Sequence, residues 1–307
     1  VVVWLEIHNP FKMLIQDLLP GFKRYLLYEK NLTPRYVKAV FRSLRLLINQ
    51  NVERSLSAFS TDVLADFLQR MCEERLWTNK TFRNYRQHLH TFFAYAVLKK
   101  HLKKNPVAAI AKPKLPARLP RCLTESQLQT LISQVHCYPW QTTLQHFRNV
   151  AIIYTFLFTG IRLSELLNLK VAHLNFEERT CFIERGKGKK DRYVPLHPKL
   201  MPVLRAYQRK RAEVLPPTEY LFTSSRSSKR LTEKNLYAIV EKLVKACGFK
   251  FTPHQLRHTF ARVSIENGLG LFLLKEILGH SSVSTSEIYL SVATSRLSSS
   301  FAKLDMF

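Results

Sequence analysis

The alternation of apolar and polar positions divides the chain into a helical first half and a second half in which helices surround one pair of strands. Thr33 followed by Pro34 has the form of a helix start, an N-cap with proline in the first turn. Beyond it Val37, Val40, Phe41, Leu44, Leu47 and Ile48 recur at helical spacing, while Arg35, Lys38, Arg42 and Arg45 fall on nearly the opposite face. A second helix, near Asn79 to Lys99, repeats the design. Phe82, Tyr85, Leu89, Phe92, Phe93 and Ala96 form its apolar side, and Lys80, Arg83 and Arg86 read as lying away from it. The pattern breaks over Asn105–Pro120 (NPVAAIAKPKLPARLP), where prolines and basic residues predict a semi-extended linker. Thr124 in LTESQL caps the next helix, with Gln127 at the capping-box position. Helical stretches dominate from there, with TCFIE (Thr180–Glu184) and RYVPL (Arg192–Leu196) as the exception. These predict two strands of a hairpin joined by RGKGKKD, with Gly186 and Gly188 in its turn. The fold expected is mainly α with a small β-sheet: a helical domain over 1–112, a linker over 113–123 and an α+β domain over 124–307.

Charge adds a partner to this picture. The chain has 48 Lys+Arg against 22 Asp+Glu, a net charge of +26. Residues 1–120 carry 21 basic and 8 acidic residues and residues 121–307 carry 27 and 14, so each part is +13. Such an excess repels itself, and polyanion binding is the usual reason to tolerate it. Both halves are equipped to meet phosphate, which suits a clamp around a duplex. A solvated basic surface and a membrane-surface patch are the alternatives that composition leaves open. With 46% hydrophobic residues the chain can build real cores. Its five cysteines (Cys72, Cys122, Cys137, Cys181 and Cys247) lack metal-ligand spacing, so reduced thiols and a cytoplasmic location are expected. No apolar run reaches membrane-spanning length, and the opening VVVWLEI lacks the basic flank of a signal peptide.

Candidate chemistry lies in four short motifs of the second half. TGIRLSELLNL places Arg162 at a helix start with Glu165 three residues on. The hairpin RGKGKKDRYVPL offers Lys187, Lys189 and Lys190 at its tip, and TPHQLRHTFA puts His254 and Arg257 on one helical face. LGHSS carries His280, and Tyr289 follows nine positions later. Each alone has a bland reading: a surface ion pair, a solvated loop, a common dipeptide, a tyrosine half-buried as an anchor. Together they supply two arginines, a lysine, two histidines and a tyrosine, an inventory that fits metal-free phosphoryl transfer. Guanidinium forks match the non-bridging oxygens on which charge accumulates. A Lys ammonium can protonate the leaving oxygen, and a His can take the proton of a phenol nucleophile. Residues 121–307 contain only Asp191 and Asp305 as aspartates, so clustered carboxylates for a two-metal site are missing. There is no GxxxxGK[ST] loop for ATP. No metal or cofactor is therefore expected, and bond energy would have to be stored in a covalent protein–DNA link.

In order and spacing, residues 124–307 resemble the catalytic domain of the tyrosine recombinase (phage integrase) family, closest to its Xer-type members; the first half is similar to that family's helical core DNA-binding domain. The resemblance implies a C-shaped clamp on DNA. It implies Arg162, Lys187, His254, Arg257, His280 and the nucleophile Tyr289 as catalytic residues, with Lys189 and Lys190 as substitutes for Lys187. Glu165 would support Arg162. It implies strand exchange through a 3′-phosphotyrosyl intermediate and a Holliday junction, in a homo- or hetero-tetramer on two double-stranded DNA sites. The tail after Tyr289 would be exchanged between protomers. Xer-like resolution of chromosome or plasmid dimers by a nucleoid-associated enzyme is the first expectation, and integration or resolution for a phage, plasmid or transposon the second. Arg35, Lys38, Arg42, Arg45, Lys80, Arg83, Arg86, Lys189 and Lys190 are the candidate DNA contacts. Three competing readings have distinct signatures. A type IB topoisomerase-like enzyme would relax supercoils as a monomer, a ribonuclease would survive loss of Tyr289, and a non-catalytic DNA-binding protein would form no covalent adduct.

Overall fold

The computed structural model describes residues 13–116, 120–184 and 191–279. The chain divides into two compact units, Val1–Ala117 and Arg118–Phe307. Described residues of the first unit form four α-helices: α1 (Ile15–Arg24), α2 (Pro34–Asn49), α3 (Thr61–Arg75) and α4 (Asn79–Leu98). The starts of α2, α3 and α4 are local chemistry. Thr33, Ser60 and Thr78 each accept a hydrogen bond from the backbone N–H three residues on. Val37, Val40, Leu44 and Leu47 of α2 are buried, and Phe41 and Ile48 pack beside them. They meet Phe22 of α1 and Leu89, Phe92, Phe93 and Ala96 of α4, with Phe22 set edge-on to Phe92 at 5.2 Å.

Two expectations for this unit need correction. Arg86 does not lie on the exposed side of α4. It is 4% exposed, and its guanidinium donates to the carbonyls of Ile110 (2.7 Å), Val107 (3.0 Å) and Ala108 (3.1 Å). Nor does the linker begin at Asn105. Residues Pro106–Ala109 form a turn, and Val107 within it and Ile110 just after it are buried in the helical core. The two corrections have one cause. A turn folded against a helix needs partners for its carbonyls, and Arg86 supplies them.

In the second unit α5 (Glu125–Cys137) starts at Thr124, whose capping box with Gln127 is formed. α6 (Thr143–Thr159) follows, with Val150, Ala151, Ile152, Ile153 and Phe156 all buried. A helix apolar on most sides is a central element, and α6 packs against α5, α8 (Leu200–Val214) and α10 (Pro253–Glu266). α7 (Leu163–Asn168), α9 (Glu233–Cys247) and α11 (Leu271–Leu278) complete the described helices. The hairpin expected from the alternation is present as β2 (Thr180–Ile183) and β3 (Arg192–Pro195), antiparallel with Cys181 opposite Val194 and Ile183 opposite Arg192. A two-residue strand, β1 (Leu174–Asn175), pairs antiparallel with β2 on its other side. Cys181, Ile183 and Val194 point into the core, and burial pushes the Cys181 thiol up to about 12, so it stays protonated. The architecture is mostly helical with one small three-stranded sheet.

Candidate active site

Of the expected catalytic side chains among the described residues, Arg162 and His254 stand at helix starts and Arg257 one turn into a helix. α6 ends at Gly160, left-handed at φ +60°; a Cβ there would lie 2.3 Å from Cδ1 of Phe260, so only glycine fits. The chain then turns through Ile161 into Arg162, the N-cap of α7. The Arg162 N–H donates to Oε2 of Glu165 at 2.8 Å and its Nη1 to Oε1 at 2.7 Å. Arg257 comes from the second turn of α10, which Thr252 caps and Pro253 opens. It is buried and donates from Nη1 to the carbonyl of Gly160 at 2.7 Å.

These side chains converge on the C-terminus of α11. The carbonyls of a helix's last turn lack intrahelical partners and form its negative end. Here three consecutive carbonyls are taken by three guanidiniums: Arg192 Nε donates to Ile277 (2.7 Å), Arg257 Nη2 to Leu278 (2.8 Å) and Arg162 Nη2 to Gly279 (2.9 Å). Gly279 is left-handed at φ +62° and directly precedes His280.

Glu165 lies between two of these cations. Its side chain is 3% exposed, and Arg192 meets it with both Nη atoms, at 3.0 Å to Oε1 and 2.8 Å to Oε2. Burial alone would raise its pKa. The hydrogen bond and charge of Arg192, followed by the bonds from Arg162, outweigh burial and hold the carboxyl at about 2. The bland reading of Arg-x-x-Glu as a surface ion pair does not apply: Glu165 is buried, bonds Arg162 and joins α7 to β3 through Arg192.

His254 is exposed near the start of α10, and its ring lies edge-on to that of His258 with centroids 4.2 Å apart. His258 was not singled out from sequence, although one helical turn from His254 it shares its face. Burial, then the charges of His254 and Arg257, lower the His258 pKa to about 4, so this ring is neutral at physiological pH. Arg192 was also missed. Lys187, Lys189, Lys190, His280 and Tyr289 lie outside the described residues. Of the candidate DNA contacts, Arg35, Lys38, Arg42, Arg45 and Lys80 are exposed, Arg83 is half-buried, and Arg86 is spent inside the fold.

Arg162 and Arg257, anchored to backbone in this way, form a preorganised cationic pair suited to charge that develops on phosphate oxygens. The phage integrase family pattern matches residues 121–296. Tyrosine recombinase XerA of Pyrococcus furiosus is 30% identical over 288 residues, 93% of each chain. Among solved structures, the XerH site-specific recombinase bound to palindromic difH superposes with a TM-score of 0.74 at 25% identity, over 94% of this chain and 84% of that one. The Tn1549 transposon integrase matches in fold, with a TM-score of 0.74 at 20% identity over 90% and 95%. The chain belongs to the phage integrase family of tyrosine recombinases, whose members break and rejoin DNA strands. Within that family it is of the Xer type. Among the described residues, no helix is long and apolar enough to cross a membrane.

Proposed function

We propose that the chain recombines duplex DNA at a specific site through a 3′-phosphotyrosyl link to Tyr289, without metal or ATP. The observation that supports this is the pair Arg162 and Arg257, each held by backbone carbonyls at the end of α11, directly ahead of His280. Tyr289 Oη attacks the scissile phosphorus while the two guanidiniums and His280 hold the non-bridging oxygens. His254 takes the phenol proton, and the uncharged His258 beside it adds no repulsion to that protonation. Lys187 gives its proton to the departing 5′-oxygen. The 5′-hydroxyl of a partner strand then attacks the phosphotyrosyl link and reseals the backbone. Two such rounds, through a Holliday junction in a tetramer on two sites, exchange both strand pairs.

The helical domain over 1–112 supplies the basic faces of α2 and α4 to the core site, joined by the segment 113–123 to the catalytic domain over 124–307. Residues beyond Tyr289, with Leu297, Phe301 and Leu304 spaced along them, dock on a neighbouring copy. An apolar groove lined by Leu128, Ile132, Leu157, Phe158, Phe260 and Val263 offers a seat for them. Trimming the chain after Arg296 should abolish cooperative assembly and spare single-site binding; unchanged assembly refutes the tail's role. The likeness to Xer recombinases favours resolution of chromosome or plasmid dimers in the nucleoid.

The reaction is tested by incubating the parent and a Tyr289→Phe variant with nicked duplex in chelator. The parent should leave a denaturant-resistant adduct and the variant none. No adduct from the parent, or as much from the variant, refutes the mechanism.

A further inference from the structure

Arg192 opens β3 and sends every hydrogen bond of its side chain to another element: both Nη atoms to Glu165 of α7, and Nε to the Ile277 carbonyl of α11. Its side chain is 9% exposed, too enclosed for a DNA contact of the ordinary surface kind. The backbone pairing of Cys181 with Val194 and of Phe182 with Tyr193 does not depend on it. What Arg192 adds to the core packing of Cys181, Ile183 and Val194 is a direct tie from the start of β3 to α7 and α11. The lysines of the hairpin precede it by two, three and five residues in the chain.

We propose that Arg192 is a positioning residue for proton delivery: it pins the β2–β3 hairpin, and so the lysine that protonates the leaving 5′-oxygen, to the carboxylate and helix end that also hold Arg162. The proposal rests on the reaction proposed above. Arg162 has its own bonds to Glu165 and to Gly279, and none of them runs through Arg192. The loss should therefore fall on the hairpin more than on phosphate binding. A lysine at 192 cannot replace the contact, because an ammonium is a point charge without the planar fork that serves Glu165 and Ile277 together.

The role has a chemical signature. In cleavage the Tyr289 Oη–P bond forms and the P–O5′ bond breaks. The phenol proton passes to His254, and the 5′-oxygen takes a proton from the lysine. With sulfur in place of the bridging 5′-oxygen, the departing thiolate is stable without that proton. Covalent cleavage of suicide duplexes with bridging oxygen or sulfur is measured in single turnover with the full-length protein. The proteins compared are wild type, Arg192→Lys, Arg192→Gln and alanine variants of Lys187, Lys189 and Lys190. The lysine that acts as acid is the one whose alanine variant fails on oxygen and recovers on sulfur. Both Arg192 variants should follow it, losing roughly ten- to a hundredfold on oxygen and regaining most of the loss on sulfur, with DNA affinity unchanged.

Equal losses on the two substrates would show that Arg192 serves the fold or Arg162 instead, and would overturn the proposal. Arg192→Lys keeps the positive charge beside Glu165 and decides the matter if Arg192→Gln fails to fold. A wild type that forms no adduct, or lysine variants none of which recovers on sulfur, would sink the underlying reaction and this proposal with it. That pattern differs from failure of the Arg192 variants alone.

Discussion

Glu165→Gln isolates the charge at the centre of the arginine cluster. The substitution keeps the shape of the side chain and removes the negative charge shared by Arg162 and Arg192. A carboxyl held at about 2 in the folded protein, against an ordinary value of 4.5, is linked to about 3 kcal/mol of stability at neutral pH. Because the folded value is the lower one, that stability is complete above about pH 4.5. It is lost as pH falls from there towards about 2. The variant has no carboxyl at this position and so lacks this dependence. Chemical denaturation of both proteins, read on the transition of the unit from Arg118 to Phe307, should show a gap of about 3 kcal/mol at pH 7. The gap should hold to about pH 5 and narrow steadily below it. A gap that stays constant down to pH 3, or none at pH 7, would refute the claim that Arg192 and Arg162 outweigh the burial of this carboxylate.

Arg86→Leu should destabilise the first unit by about 3–5 kcal/mol, since the carbonyls of Val107, Ala108 and Ile110 lose a charged donor. Limited proteolysis should then cut within Asn105–Pro116, and a variant as resistant as the parent would contradict the folded turn. Asn149→Asp should raise stability by roughly 1–2 kcal/mol, measured as a higher denaturation midpoint. Arg148 and Asn149 are both buried; Arg148 Nε donates to Asn149 Oδ1 at 3.0 Å, while Asn149 Nδ2 has no acceptor among the described residues. A carboxylate would remove that orphan donor and give the guanidinium a counter-charge. A lower midpoint would show that the charge partner is not worth its desolvation.

What was legible in the sequence was what a few neighbouring residues decide. The Thr33-Pro34 start, the Thr124 and Gln127 box and the alternation of β2 and β3 are each local, and the structure has them. Arg86 shows the limit. By spacing, 82, 86, 89 and 93 form one stripe, so Arg86 sits within the apolar face of α4 as the helix turns. Its charge argued for the surface, and the partners that reverse the argument lie 21 to 24 residues downstream. Arg192 is hidden in the same way, with Glu165 27 residues before it and Ile277 85 after it. β1, two residues long, has no period to detect. The candidate motifs can be read one by one, but nothing in their spacing shows that three guanidiniums finish one helix.

That shared role decides which variants are informative. Arg162, Arg192 and Arg257 cap three successive carbonyls at the end of α11, a helix of only eight residues: its last two and that of Gly279 just beyond. Like charges gathered there would repel, and the buried Glu165 offsets the two that face it. The bonds that end the helix are therefore the bonds that aim the cations. Removing Arg257 strips the Gly160 and Leu278 carbonyls of their donor along with any catalytic charge, so its loss of activity cannot be assigned to chemistry alone. Arg192 and Glu165 stand one step back from the phosphate in the proposed reaction. Stability, pH dependence and leaving-group sensitivity can be separated at these two positions, and it is there that the link between fold and catalysis can be measured.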